Sequence, residues 1–128
     1  MKQRTDDPES LLPLSSAIFH ILLALIDGER HGYGIMQETA RSSGGRVNLG
    51  PGTLYRSIRH LLTDGLIEES DERPAPELDD ERRHYYRLTP FGLSVARAEA
   101  KRLDELVQTA RAKRLLPQPG TVSLEGGV

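Results

Sequence analysis

Cysteine and tryptophan are both absent from the 128 residues. Without thiols the chain can form neither disulfides nor thiolate metal sites, which suits a reducing cytosol. Without an indole, an indole-lined drug pocket is excluded. Long apolar runs are missing as well. Residues 18–26 are apolar but far too short to span a bilayer, and His20 interrupts them. His20 itself is expected as a partly buried histidine, because no second ligand sits at metal-binding spacing. The opening MKQRTDDPES carries charges of both signs and lacks the apolar core of a signal peptide. A soluble, cytoplasmic protein of one domain is expected.

Catalytic patterns are lacking too. Gly50-Pro51-Gly52 has no predicted strand before it and no Lys-Ser/Thr pair after it, so it is not a phosphate loop. Serines, histidines and aspartates are scattered with no elbow motif. The four histidines have no helical pairing. Neither an enzyme nor a cofactor is expected.

Net charge argues against a nucleic-acid partner at first sight, since 17 basic residues face 19 acidic ones. The distribution says otherwise. Residues 39–63 hold Arg41, Arg46, Arg56 and Arg59 and no carboxylate, whereas residues 64–81 hold nine acids against Arg73 alone. Arg82, Arg83 and Arg87 then restore positive charge. Solvation of an ordinary surface is the plainer reading of these arginines, and their placement on a helix entered through a turn weighs against it.

That placement is the segment LGPGTLYRSIRHLLTDGLIEE, residues 49–69. Pro51 suits the first position of a helix. Leu54, Ile58, Leu61 and Leu62 recur along one helical face, and Gly65 stops the helix. The opposite face carries Thr53, Arg56, His60 and Thr63, with Arg59 beside it and Tyr55 on the flank. A narrow apolar stripe backed by arginine, threonine and tyrosine is the pattern of a recognition helix.

Around it the chain reads as helices and a hairpin. Residues 1–12 are expected as a flexible N-terminal arm. Ser15 or Ser16 caps a first helix whose apolar residues (Ile18, Ile21, Leu22, Leu25 and Ile26, widened by Leu14, Phe19 and Leu23) cover more than one side. Residues 27–30 turn. A second helix over 33–42 points Ile35, Met36 and Ala40 inward. Near its start Gly32 and Gly34 flank Tyr33, which fits either a core tyrosine or a backbone approaching phosphate. Strands at 66–69 and 84–88 form a hairpin, the second placing His84, Tyr86 and Leu88 on one face. The acidic loop between them would be repelled by phosphate, so Arg82 and Arg83 at its base are favoured over its tip. Thr89-Pro90 caps a last helix running to about residue 114, roughly 37 Å long. It carries a seam of Ala96, Leu103, Leu106 and Ala110, with Val95 and Val107 alongside. The Pro/Gly-rich residues 117–128 are expected to be disordered.

GTLYRSIRHLLTDGLIEE, the earlier HGYGI and the later YYRLTPFG together resemble the PadR family of bacterial transcriptional regulators, over roughly residues 14–114. The resemblance implies a mainly α fold with a small β-hairpin: a winged helix-turn-helix domain over 13–89 and a C-terminal dimerisation helix over 90–116. It implies a homodimer, usually a repressor, reading a double-stranded DNA operator. Tyr33 and Gly34 are placed near DNA by the family pattern, and Thr53, Tyr55, Arg56, Arg59, His60, Arg82 and Arg83 complete the expected contacts. The expected dimer interface is Ile18, Leu22, Ala96, Leu103, Leu106, Val107 and Ala110. The resemblance also allows a small aromatic or phenolic effector near that interface. A winged helix used for protein–protein contact, favoured slightly by the acidic loop, is the alternative, and salt-sensitive duplex binding separates the two.

Overall fold

A computed structural model describes residues 7–70 and 84–119. Four helices and three short strands follow in the order α1 (Ser16–Ala24), β1 (Arg30–His31), α2 (Gly32–Ser42), α3 (Pro51–Thr63), β2 (Ile67–Ser70), β3 (Tyr85–Leu88) and α4 (Pro90–Ala112). The fold is mainly helical with a small antiparallel sheet of strand order β1-β3-β2. In the hairpin Ile67 lies opposite Leu88 and Ser70 opposite Tyr85.

Each helix start is fixed by a local device. Ser15 Oγ accepts the Ile18 N–H at 3.2 Å and caps α1. His31 Nδ1 accepts the Gly34 N–H at 3.1 Å and caps α2. Helix α3 has no side-chain cap and begins instead with Pro51. At α4 the Thr89 hydroxyl accepts from the Gly92 N–H at 2.9 Å and donates to the Gly65 carbonyl at 2.6 Å. One side chain thus caps α4 and ties it to the turn that ends α3. That turn needs Gly65, whose φ is +77°, so that the Leu66 N–H can reach the Leu61 carbonyl at 2.9 Å.

The core gathers one face of every helix. Ile21 and Leu22 of α1, Ile35 of α2, Leu54, Ile58 and Leu61 of α3, and Val95 and Ala96 of α4 close around Leu66, Ile67 and Tyr86. Three departures from the sequence reading have physical causes. Residues 8–11, expected in a flexible arm, form a single 3-10 turn capped by Asp7. That turn packs against α4, and Leu11 and Leu12 rest on the core. Arg30, expected in a turn, pairs together with His31 against β3 as a third strand. Within the expected dimer set, Leu22 and Ala96 are buried inside the protomer, and Ile18 packs against its core. Leu22 and Ala96 are corrected to core positions, because α1 packs against α2, α3 and α4; Ile18 is only half-buried, and Leu23 and Ile26 stay exposed.

Helix α4 leaves the body. Its last buried residue is Glu99, so its final turns extend for about 20 Å at 1.5 Å per residue. Leu106 is 58% exposed and Val107 37% exposed on that extension. It ends with Arg114 at φ 70° and a Leu115 N–H to Ala110 carbonyl bond of 2.9 Å.

Candidate nucleic-acid interface

Helix α3 buries Leu54, Ile58 and Leu61 and turns the rest of its circumference outward. Thr53, Tyr55, Arg56, Arg59 and His60 are all exposed, as the period of the sequence requires. Among the described residues neither the Arg56 nor the Arg59 guanidinium has a hydrogen-bond or ion-pair partner. His60 behaves differently, because its Nε2 lies 3.3 Å from the Asp64 carboxylate one turn on. Tyr55 leans to one side, where its ring lies on the backbone of Gly32 at the start of α2. A Cβ built on Gly32 would stand 2.9 Å from Tyr55 Cζ, inside any permitted contact. A side chain at position 32 would therefore displace the Tyr55 phenol from the α2–α3 junction.

Tyr33 sits beside that junction and is 56% exposed, so of its two sequence readings the core one fails. Gly34 donates to the His31 cap and is half-buried. Tyr33 and Tyr55 are thus exposed at the junction of α2 and α3, and Arg56 and Arg59 lie on the outward stripe of α3. Arg82 and Arg83 lie outside the described residues, as does the acidic loop. Part of the basic segment is already neutralised: Arg41 holds the Glu38 carboxylate through Nε at 2.9 Å and a second nitrogen at 2.6 Å. The hydrogen bond from Arg41, with its charge and that of Arg30, keeps the Glu38 carboxyl below its usual range.

Sequence reasoning placed Tyr86 on a strand face but assigned it no role; it is buried. Burial, with the Glu69 carboxylate and the Tyr55 phenol nearby, pushes its hydroxyl above the ordinary value. His31 was missed. It caps α2 and meets the Tyr85 ring edge-on at 5.3 Å, and neither role leaves a periodic trace.

A helix with an outward arginine stripe, entered after a second helix and followed by a hairpin, defines a winged helix-turn-helix protein. The chain belongs to the PadR-like family of transcriptional regulators, whose family model matches residues 21–98. It is 38% identical over 89 residues to the transcriptional regulator Rv3488 of Mycobacterium tuberculosis, covering 70% of this chain and 77% of that one. Among solved structures, a Streptococcus transcriptional regulator is similar with a TM-score of 0.62 and 23% identity, over 77% of this chain and 91% of that one. Bacillus subtilis PadR in complex with operator DNA is similar with a TM-score of 0.55 and 22% identity, over 67% of this chain and 47% of that one. Identities this low speak for the fold alone.

Proposed function

We propose that the chain is a sequence-specific DNA-binding regulator that acts as a homodimer, most simply a repressor, with α3 in the major groove. The observation that carries this reading is the pair of guanidiniums, Arg56 and Arg59, that have no partner among the described residues, on the exposed stripe of a helix whose other stripe is locked in the core. Arginine in the major groove can take guanine O6 and N7 together, or a phosphate oxygen on either side. Thr53 near the helix start suits a phosphate, and the exposed Tyr33 and Tyr55 can pack against the sugar–phosphate backbone. The operator complex of the Bacillus subtilis protein, which shares the fold, supports the partner.

The dimer surface is the free extension of α4, with Leu103, Leu106, Val107 and Ala110 as its apolar residues. An effector would find a groove of about 730 Å3 between the end of α1 and the start of α4, bordered by Leu25, Ile26, Leu93 and Arg97. Among the described residues no helix is long and apolar enough to cross a membrane, and a cytoplasmic site of action follows from the proposed partner. Selection of duplexes from a random pool by the purified protein tests the reading. Recovery of a two-fold symmetric sequence, with half-sites about one helical turn apart, is the expected result. A pool that stays random after repeated selection would contradict sequence-specific reading.

A further inference from the structure

An α-helix lying in a major groove is bordered on both sides by sugar–phosphate backbone. On one flank α3 has the start of α2, where Tyr55 meets Gly32. On its other flank lies the start of α1, separated from α3 by an open cleft of about 510 Å3. Ser15 and Ile18 form one side of this cleft, and Arg56, Arg59, His60 and Thr63 the other. We propose that this cleft seats the phosphodiester backbone of the second strand, making the first turn of α1 a second wall of the DNA interface. The proposal rests on the DNA-binding reading above and adds to it a surface on α1.

Charge supports it from both sides of the cleft. The α3 side holds the two guanidiniums that have no partner among the described residues. Asp64, at the end of α3, has its carboxylate 3.3 Å from His60 Nε2. The α1 side brings no opposing charge: its first turn has no acid, and residues 10–26 contain none. The wall itself, Ser15 and Ile18, carries no negative charge and faces two arginines without a partner among the described residues, an arrangement that suits an anionic strand. The apolar Ile18 at the floor is half-buried and holds the wall against the core rather than binding the ligand.

The test exploits the cap. Ser15 accepts the Ile18 N–H, a role that aspartate and asparagine fill about equally well, so Ser15→Asp and Ser15→Asn both keep the helix. Only the first places a negative charge in the cleft. The full chain and both variants are titrated with a random-sequence duplex about three helical turns long at low salt, with circular dichroism and melting as checks on the fold. Ser15→Asp should bind roughly fivefold or more weakly, the cost of one like-charge contact in a water-like dielectric, while its melting temperature is kept or raised. Ser15→Asn, which keeps the cap without adding charge, should lose clearly less affinity than Ser15→Asp. Equal binding by Ser15→Asp would overturn the proposal, and so would an equal loss in both variants, which would mean that cap geometry matters and charge does not. If Ser15→Asp binds normally while Arg56→Ala does not, only the second wall falls. If the unaltered chain fails to bind the duplex at low salt, the DNA reading and the wall fall together.

Discussion

At the scale of single residues, the informative positions are those where a polar group is buried. Glu99 is 2% exposed, and its carboxylate accepts from Arg102 through both oxygens at 2.8 Å. With Arg102 first and the Leu14 backbone N–H helping, its pKa is lowered despite burial. A lowered folded pKa adds stability above the unfolded carboxylate value, and that stability is lost as pH falls through the folded one. Melting curves should therefore show Glu99→Gln less stable than the unaltered chain at neutral pH, with the gap closing on acidification. A gap independent of pH would mean that the ion pair is not the cause. Thr39 is the opposite case, because its hydroxyl is buried with no hydrogen-bond partner among the described residues. Thr39→Val keeps the shape and removes the unsatisfied group, so denaturant unfolding should show no loss, or a gain of up to about 1 kcal/mol. A clear destabilisation would reveal a partner for that hydroxyl.

At the scale of elements, the junction between the reading helix and α4 is the most constrained. A Cβ on Gly92 would drive into the Leu66 backbone, reaching 2.9 Å from its carbonyl carbon. Gly92→Ala should cost about 1–3 kcal/mol by overpacking, measured by denaturant unfolding, and a neutral result would mean that α4 can shift relative to the α3 turn. Much of this architecture was legible because caps and periods are local: Pro51 and Gly65 bracket α3, Thr89-Pro90 opens α4, and Leu54, Ile58 and Leu61 share a stripe. Strand β1 was not legible. Two residues have no period, and their pairing with Tyr86 and Tyr85 is visible only once β3 is in place. The 3-10 turn did leave a signal, since Asp7-Pro8 is a cap followed by a proline, but the charged residues around it masked it. For the candidate site, exposure of the α3 stripe followed from its period, whereas the pairing of Arg41 with Glu38 depended on rotamers that no spacing reveals. The assignment of Leu22 and Ala96 to a dimer surface failed for a related reason: an apolar residue does not say whether its neighbour is in the same chain.

At the scale of the whole molecule, the proposal joins two surfaces, the extension of α4 and the outward stripe of α3. If the extension makes the dimer, Leu103→Asp with Leu106→Asp should give a monomer at micromolar concentration by sedimentation, since a two-fold interface feels each change twice. Tight operator binding should be lost with it, because one reading helix cannot span half-sites about 34 Å apart. A mutant that remains dimeric would place the interface elsewhere. The central claim, that α3 presents Arg56 and Arg59 to DNA, has a more direct test in the salt dependence of duplex binding. Affinity for selected DNA should fall linearly on logarithmic axes as salt rises. Arg56→Ala with Arg59→Ala should cost about 1–3 kcal/mol for each arginine on a base, or reduce the salt slope by about one for each on a phosphate. An unchanged affinity and an unchanged slope in that double variant, with the fold intact, would contradict the account.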